Sequence, residues 1–249
     1  MEIIDRDDNG KLRTRALMVG GKLHGEVQTF DEEERLRHRA WYVGGLLEGE
    51  SSTYDEAGQP IEKMGFRGGK LDGEATTYDD EGNLAQRLQF SAGDRHGETL
   101  IYLEGVLRTR MVFVHGKQTG PFVAYDESGR EVVRASYEDG KLRGESIYFD
   151  GQGRMLRKGT YRANKLHGEV VEYHPNGAVR ERGMYKDGKR EGEVRCYSED
   201  GKLKTKAYYK AGELRGAPID HDEHGVPRAP DDEVRKKRPL LARILDRKE

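Results

Sequence analysis

The sequence predicts an all-β fold: an elongated, single-layer antiparallel β-hairpin repeat array of about nine 24-residue units, ending in a short C-terminal helix. Three observations predict it. A Gly-Glu pair recurs at almost constant spacing, two further glycine columns run in register with it, and aromatic residues stand at fixed offsets from those glycines. Composition agrees, since the 249 residues are 34% hydrophobic and 36% charged with 33 glycines. That leaves too little aliphatic material for a thick two-layer core.

The Gly-Glu column comprises Gly25-Glu26, Gly49-Glu50, Gly73-Glu74, Gly97-Glu98, Gly144-Glu145, Gly168-Glu169 and Gly192-Glu193, with Gly120-Pro121 and Gly216-Ala217 in the same register. Its steps are 24, 24, 24, 23, 24, 24, 24 and 24 residues. A second column runs from Gly21 to Gly212 and is interrupted only by Asn164; a third runs from Gly58 to Gly225. Glycine reaches positive φ at little steric cost and Asn is the usual substitute, so Asn164 marks a left-handed turn position. Asp139-Gly140 and Asp200-Gly201 lie between β-forming runs, a hairpin signature. Each unit therefore holds two turns and two strands.

Strand alternation explains the remaining columns. Phe30, Tyr54, Tyr78, Tyr102, Tyr125, Phe149, Tyr173 and Tyr197 follow the Gly-Glu glycine by five residues. Tyr42, Phe66, Phe90, Phe113, Tyr137, Tyr161, Tyr185 and Tyr209 precede the other turn, and small residues such as Ala40, Ala135, Gly183 and Ala207 lie two residues before them on the same face. Rings beside small neighbours suit an interlocking aromatic ladder. The Glu of each Gly-Glu pair is expected to serve turn N–H groups or the Lys four residues earlier, as in Lys22/Glu26 and Lys165/Glu169.

Residues 1–230 are thus one repeat domain, and residues 231–249 a basic, amphipathic tail. In the tail Arg235-Lys236-Lys237-Arg238 precedes Pro239, with Leu240, Leu241, Ile244 and Leu245 at helical spacing. Such a helix can cap the last hairpin, dock on a partner or make peripheral contact with anionic lipid. Met1–Asp8 carries no apolar leader segment and Cys196 is the only cysteine, so a cytoplasmic location is expected. The net charge of -2 argues against a nucleic-acid partner even though aromatic ladders can stack bases.

The motif Tyr137-x-x-Gly140-Lys141-Leu142-x-Gly144-Glu145, followed by Phe149 and Gly153, resembles the MORN repeat, most closely its bacterial variant form. Lys22–Glu26 and Lys165–Glu169 carry the same signature, and the resemblance covers roughly residues 10–226. It implies the hairpin array. It further implies a protein-binding role, since bacterial variant members are often assigned as antitoxin or immunity partners of toxins and other members as scaffolds near membranes. The chain departs from the pattern at Glu32–Arg37, which lacks the turn glycine, at the 23-residue step, at Pro121 and at Ala217-Pro218.

Chemistry-bearing motifs are scarce. His24, His96 and His167 share one register and cannot converge in a linear array. For His221-Asp222-Glu223-His224 a divalent cation competes with a solvated turn, and the turn is the simpler account. No metal, cofactor or catalytic residue is expected, and the chain is read as non-enzymatic. The candidate partner-binding residues are Arg35, Arg37, His38, Trp41 and Arg95. Trp41 is the only Trp, and Trp and Arg are frequent interface anchors; packing at a sheet edge is its competing role. The expected partner is a protein, a toxic effector by the resemblance, and open sheet edges leave a homodimer available. The competing function is a membrane-proximal scaffold acting through the tail.

Overall fold

The computed structural model describes residues 1–228, and every regular element in it is a β-strand. The expected C-terminal helix, residues 231–249, lies outside the described residues. The described residues form two compact units, Met1–Gly144 and the part that follows from Glu145.

The first unit contains β1 (Glu2–Arg6), β2 (Leu12–Val19), β3 (Lys22–Leu23), β4 (Gly25–Phe30), β5 (Leu36–Val43), β6 (Leu46–Tyr54) and β7 (Pro60–Arg67). It continues with β8 (Lys70–Tyr78), β9 (Leu84–Ser91), β10 (Asp94–Leu103), β11 (Val106–Val114), β12 (Lys117–Tyr125), β13 (Glu131–Glu138) and β14 (Lys141–Leu142). Each pairs antiparallel with the strand before it, except that β2 bonds both β3 and β4. After β15 (Gly144–Phe149), the second unit runs through β16 (Met155–Arg162), β17 (Lys165–Tyr173), β18 (Val179–Lys186), β19 (Lys189–Tyr197), β20 (Leu203–Lys210) and β21 (Glu213–Asp220). From β16 to β21 the pairing is again antiparallel and sequential.

Two turn types alternate. The tight one has two central residues, both at positive φ, as at Gly44-Gly45 (59° and 87°) and Asp187-Gly188 (51° and 86°). That is the type I′ geometry whose twist matches a hairpin. Asn164 holds φ 68° in this turn, as its column predicts. The wider turn spans five residues and is organised by an Asp at its first position. In Asp126–Arg130 the Asp Oδ1 accepts N–H bonds from Ser128 at 2.8 Å and Arg130 at 2.9 Å, while Gly129 N–H bonds Asp126 O at 3.0 Å. Asp7, Asp31, Asp55, Asp79, Asp150 and Asp222 recur in that register, with His174 and Ser198 in two units. In Asp31–Arg35 the glycine is replaced by Glu34, which takes φ 61°.

The 23-residue step has a geometric cause. Between β10 and β11 the wide turn becomes a two-residue turn at Glu104-Gly105, and Leu103 pairs with Val106. Five turn residues have become two turn residues and two paired ones, so one residue is lost.

The Gly-Glu glycines lie inside strands or at their first residue, not in turns. In β7/β8 Met64 opposes Ala75 and Phe66 opposes Leu71, leaving Asp72, Gly73 and Glu74 opposite Gly65 alone. This is a special bulge of three residues against one, and Gly73 takes φ 99° there. On the aromatic face lie the buried core positions, Ala16, Val27, Ala40, Ala75, Leu88, Thr99 and Ala135 in the first unit and Ser146, Val170, Val194 and Ala207 in the second. Ser52, Thr76 and Val171 are buried on the other face, opposite Arg39, Arg87 and Arg182. Small residues face β-branched ones: Gly183 pairs with Val170 and Val194, and a Cβ on it would sit 2.8 Å from Val194 Cγ2. The aromatic columns are half-buried beside this seam, with Phe122 and Tyr137 edge-on at 5.8 Å. Rings were expected to replace an aliphatic core. They flank a thin aliphatic one.

Candidate functional site

The bulge also organises the opposite face. Because it breaks the alternation between Lys22 and Glu26, the expected pairing four residues apart gives way to cross-strand pairs. Glu74 meets Arg87 at 2.7 Å and Glu98 meets Arg110 at 2.5 Å in the first unit; Glu169 meets Arg182 at 3.2 Å in the second. Arg15, Arg39, Lys63, Arg87, Arg110, Arg134, Lys158, Arg182 and Lys206 form the matching cation column. Glu193 is the most engaged carboxylate, bonding the Tyr208 hydroxyl, Arg195 and Lys206. The Tyr208 bond first, then the two cations, hold its pKa down to about 2.

One position per unit stands over each bulge. In the first hairpins it is Leu17, Trp41, Gly65 and Gln89, and Cβ atoms added at Gly25 and Gly49 would lie 3.7 Å from Leu17 Cδ2 and 4.0 Å from Trp41 Cβ. Ala40 opposes Ser51 and Tyr42 opposes Leu47, so Glu48, Gly49 and Glu50 all face Trp41. The result is an open cleft of about 500 Å³ lined by Glu26, Arg39, Ala40, Trp41, Glu48, Gly49 and Glu50. Trp41 is 52% exposed in it. Glu48 Oε2 accepts the Gly68 N–H at 2.8 Å, and Glu50 Oε1 accepts the Ser52 hydroxyl at 2.7 Å. Arg39 lies 3.7 Å from Glu26 and 3.6 Å from Glu50, looser than the pairs of the neighbouring repeats. Three carboxylates thus line the cleft beside the indole; one guanidinium is shared by Glu26 and Glu50, and Glu48 caps the Gly68 N–H.

The other predicted residues do not gather around Trp41. Arg35 closes its own turn, bonding Asp31 at 2.8 Å and Glu33 at 2.9 Å. Arg37 is the extra residue between the Leu36–Phe30 and His38–Thr29 pairs, and its Nη1 is buried without a hydrogen-bond partner. His38 Nε2 bonds Ser51 Oγ at 2.9 Å. Arg95 stacks on Phe113, 5.4 Å from the ring centre, on the aromatic face opposite Trp41. The acidic companions of Trp41 escaped the sequence reading, although the 24-residue cation column was there to be found.

The His register has a turn-capping role instead. Its acidic members accept the first N–H of the next tight turn: Asp72 from Ala92 at 3.1 Å and Glu191 from Ala211 at 2.7 Å, as Glu48 does from Gly68. His167 Nδ1 approaches Asp187 at 3.4 Å at the equivalent place. In His221–His224 the Asp222 carboxylate is committed to its turn, accepting from His224 N and Val226 N at 2.9 Å each. A smaller cleft of about 290 Å³ in the second unit is lined by polar turn residues including Ser198, Asp200, Lys204 and His221.

Fold and site together define a repeat-based hairpin protein whose individuality lies in surface side chains. The family model described as MORN repeat variant matches residues 71–92, 166–187 and 190–211. No curated protein matches the chain. Among solved structures, a chain in the crystal structure of TcdB2-TccC3-Cdc42 aligns at 12% identity and a TM-score of 0.22, over 88% of this chain and 14% of that one. A likeness of that size carries no statement about this protein.

Proposed function

We propose that the protein is a non-enzymatic binding protein of antitoxin or immunity type, which lays a sheet face against a toxic effector and blocks it. The observation that carries the binding role is Trp41, a large aromatic side chain left 52% exposed in an open cleft among polar ladders. Buried aromatic anchors dominate interface energies, and an exposed one with neighbouring charges is their unbound form. The repeat matches support a binding scaffold, and the toxin as partner rests on the resemblance to bacterial variant repeats. The test is affinity capture from the native host with the wild-type chain and with Trp41→Ser. Recovery, by the wild type only, of an enzyme that the purified protein inhibits would establish the reading. Recovery of envelope or housekeeping scaffolds that it does not inhibit would sink it. The scaffold alternative depends on residues 231–249, and liposome co-sedimentation with and without that segment separates it.

A further inference from the structure

Resting on the binding role just proposed, and naming the chemistry that role uses, we infer that the Trp41 cleft receives an arginine side chain of an apolar, basic segment of the partner protein. Complementarity of both charge and shape supports it. Glu26, Glu48 and Glu50 line the cleft against Arg39 alone, and Arg39 is shared at 3.6–3.7 Å. A second guanidinium between Glu26 and Glu50 completes a pairing that Glu74–Arg87 and Glu98–Arg110 already have at 2.7 Å and 2.5 Å.

The indole supplies the remaining contact. A planar guanidinium stacks on an aromatic face while its fork donates laterally to two carboxylates, where the Lys206 ammonium over Tyr208 reaches Glu193 as a point charge. The molecule already uses that contact with its own residues, Arg95 over Phe113 and Arg190 over Tyr209 at 5.4 Å and 5.2 Å. Strand alternation puts Leu17, Val19 and Val43 on the Trp41 face, all exposed, so the segment that brings the arginine meets apolar side chains along β5 and on β2. An acidic or purely apolar partner would desolvate three carboxylates that have one guanidinium among them, leaving an excess of buried negative charge, which is costly.

Trp41 is the only Trp, so tryptophan emission, excited selectively over the 13 tyrosines, reads this cleft alone. The full chain is titrated with three blocked pentapeptides: alternating Val and Arg, the same with citrulline for Arg, and the same with Glu for Arg. The Arg peptide is expected to shift Trp41 emission to the blue saturably. Its affinity should fall with added salt and weaken about fivefold in Glu50→Gln, the factor corresponding to about 1 kcal/mol. The Trp41→Phe variant, followed by anisotropy of a labelled peptide, keeps partial binding, whereas Trp41→Ser loses it; circular dichroism of each variant confirms the fold. Equal binding of the citrulline peptide, or no shift with the Arg peptide at millimolar concentration, overturns the inference. An emission shift with protein concentration alone also overturns it, because a second copy would then fill the cleft. Peptide binding that survives while no inhibited toxin is found would retire the antitoxin reading and leave the arginine site standing.

Discussion

The tight turns permit a test of the architecture that involves no side-chain contact. Gly44 holds φ 59° and a Cβ built on it meets nothing within 4 Å, so Gly44→Ala changes backbone preference alone. Ala92 occupies the same place two repeats later at φ 52°, so Ala92→Gly is the reverse experiment. A left-handed residue with a side chain costs about 1–2 kcal/mol. Replacing Gly by Ala returns about 0.4–1 kcal/mol through the stiffer unfolded chain. The net expectation is a loss of about 0.5–1 kcal/mol for Gly44→Ala and a gain of the same size for Ala92→Gly. With a urea slope near 2 kcal/mol per molar, the midpoint moves down or up by about 0.4 M. Both substitutions lie in the unit that carries Trp41, so its emission reports the transition, and an unchanged slope shows that the surface exposed on unfolding is the same and the midpoint shift is a stability change. A midpoint that does not fall for Gly44→Ala, or falls for Ala92→Gly, refutes the paired left-handed turn.

Three further outcomes follow from named contacts. Glu191→Ala removes the acceptor of the Ala211 N–H at 2.7 Å and should cost about 1 kcal/mol in urea unfolding, with Glu191→Gln recovering part of it. Ser146 is 0% exposed and Thr99 2% exposed, and neither hydroxyl has a partner among the described residues. Ser146→Ala and Thr99→Val should each raise the urea midpoint, by about 1 kcal/mol in free energy, and a loss would reveal a hidden bond. Asp126 has its pKa lowered first by the Arg130 N–H, then by the Ser128 N–H and the Arg130 charge. The folded pKa therefore lies below the unfolded value of 3.8, so its contribution is fully present above that pH and is lost as pH falls through the folded pKa. Asp126→Asn keeps the acceptor and should flatten stability against pH below about 4, while Asp126→Ala should lower the midpoint at pH 7.

The sequence carried the period, the strand class and the left-handed place of Asn164, because positive-φ positions leave a direct trace in glycine and Asn. It did not distinguish a glycine in a bulge from a glycine in a turn, since both need the same φ. That ambiguity sent Glu26 toward Lys22. Once Gly25 is placed beside β2 and Glu26 opposite Trp41, the partner becomes Arg39, 13 residues away. The Asp column from Asp7 to Asp222 was legible and went unused. For the site, Trp41 stood out by uniqueness, while Arg35 and Arg95 stood out only as charges near irregular turns. Their partners, Asp31 and Phe113, are set by turn closure and strand register, so both side chains stay exposed but point away from the Trp41 cleft.

An array of equivalent hairpins faces a difficulty of specificity, because columns that repeat cannot mark one place on the chain. The glycines are fixed by φ, the Glu and Arg columns by cross-strand charge pairing, and the small residues by the approach of the facing Val. The position over the bulge escapes all three constraints and varies from unit to unit: Leu17, Trp41, Gly65, Gln89, Val112, Ser136, Thr160, Met184 and Tyr208. Its limits are local. At Gly65 a Cβ would sit 2.6 Å from the Asp72 carbonyl oxygen, and at Gln89 the side-chain oxygen accepts the Glu98 N–H at 3.1 Å. Trp41 meets no such restriction, because even a Cβ added at Gly49 would stay 4.0 Å from Trp41 Cβ and the indole lines the open cleft. A repeat fold can therefore change partner by substitution in this one column without disturbing the ladders that fold it. Exchanging Trp41 with Gln89 should accordingly abolish arginine-peptide binding without abolishing folding, because Glu74 and Glu98 around position 89 already hold Arg87 and Arg110.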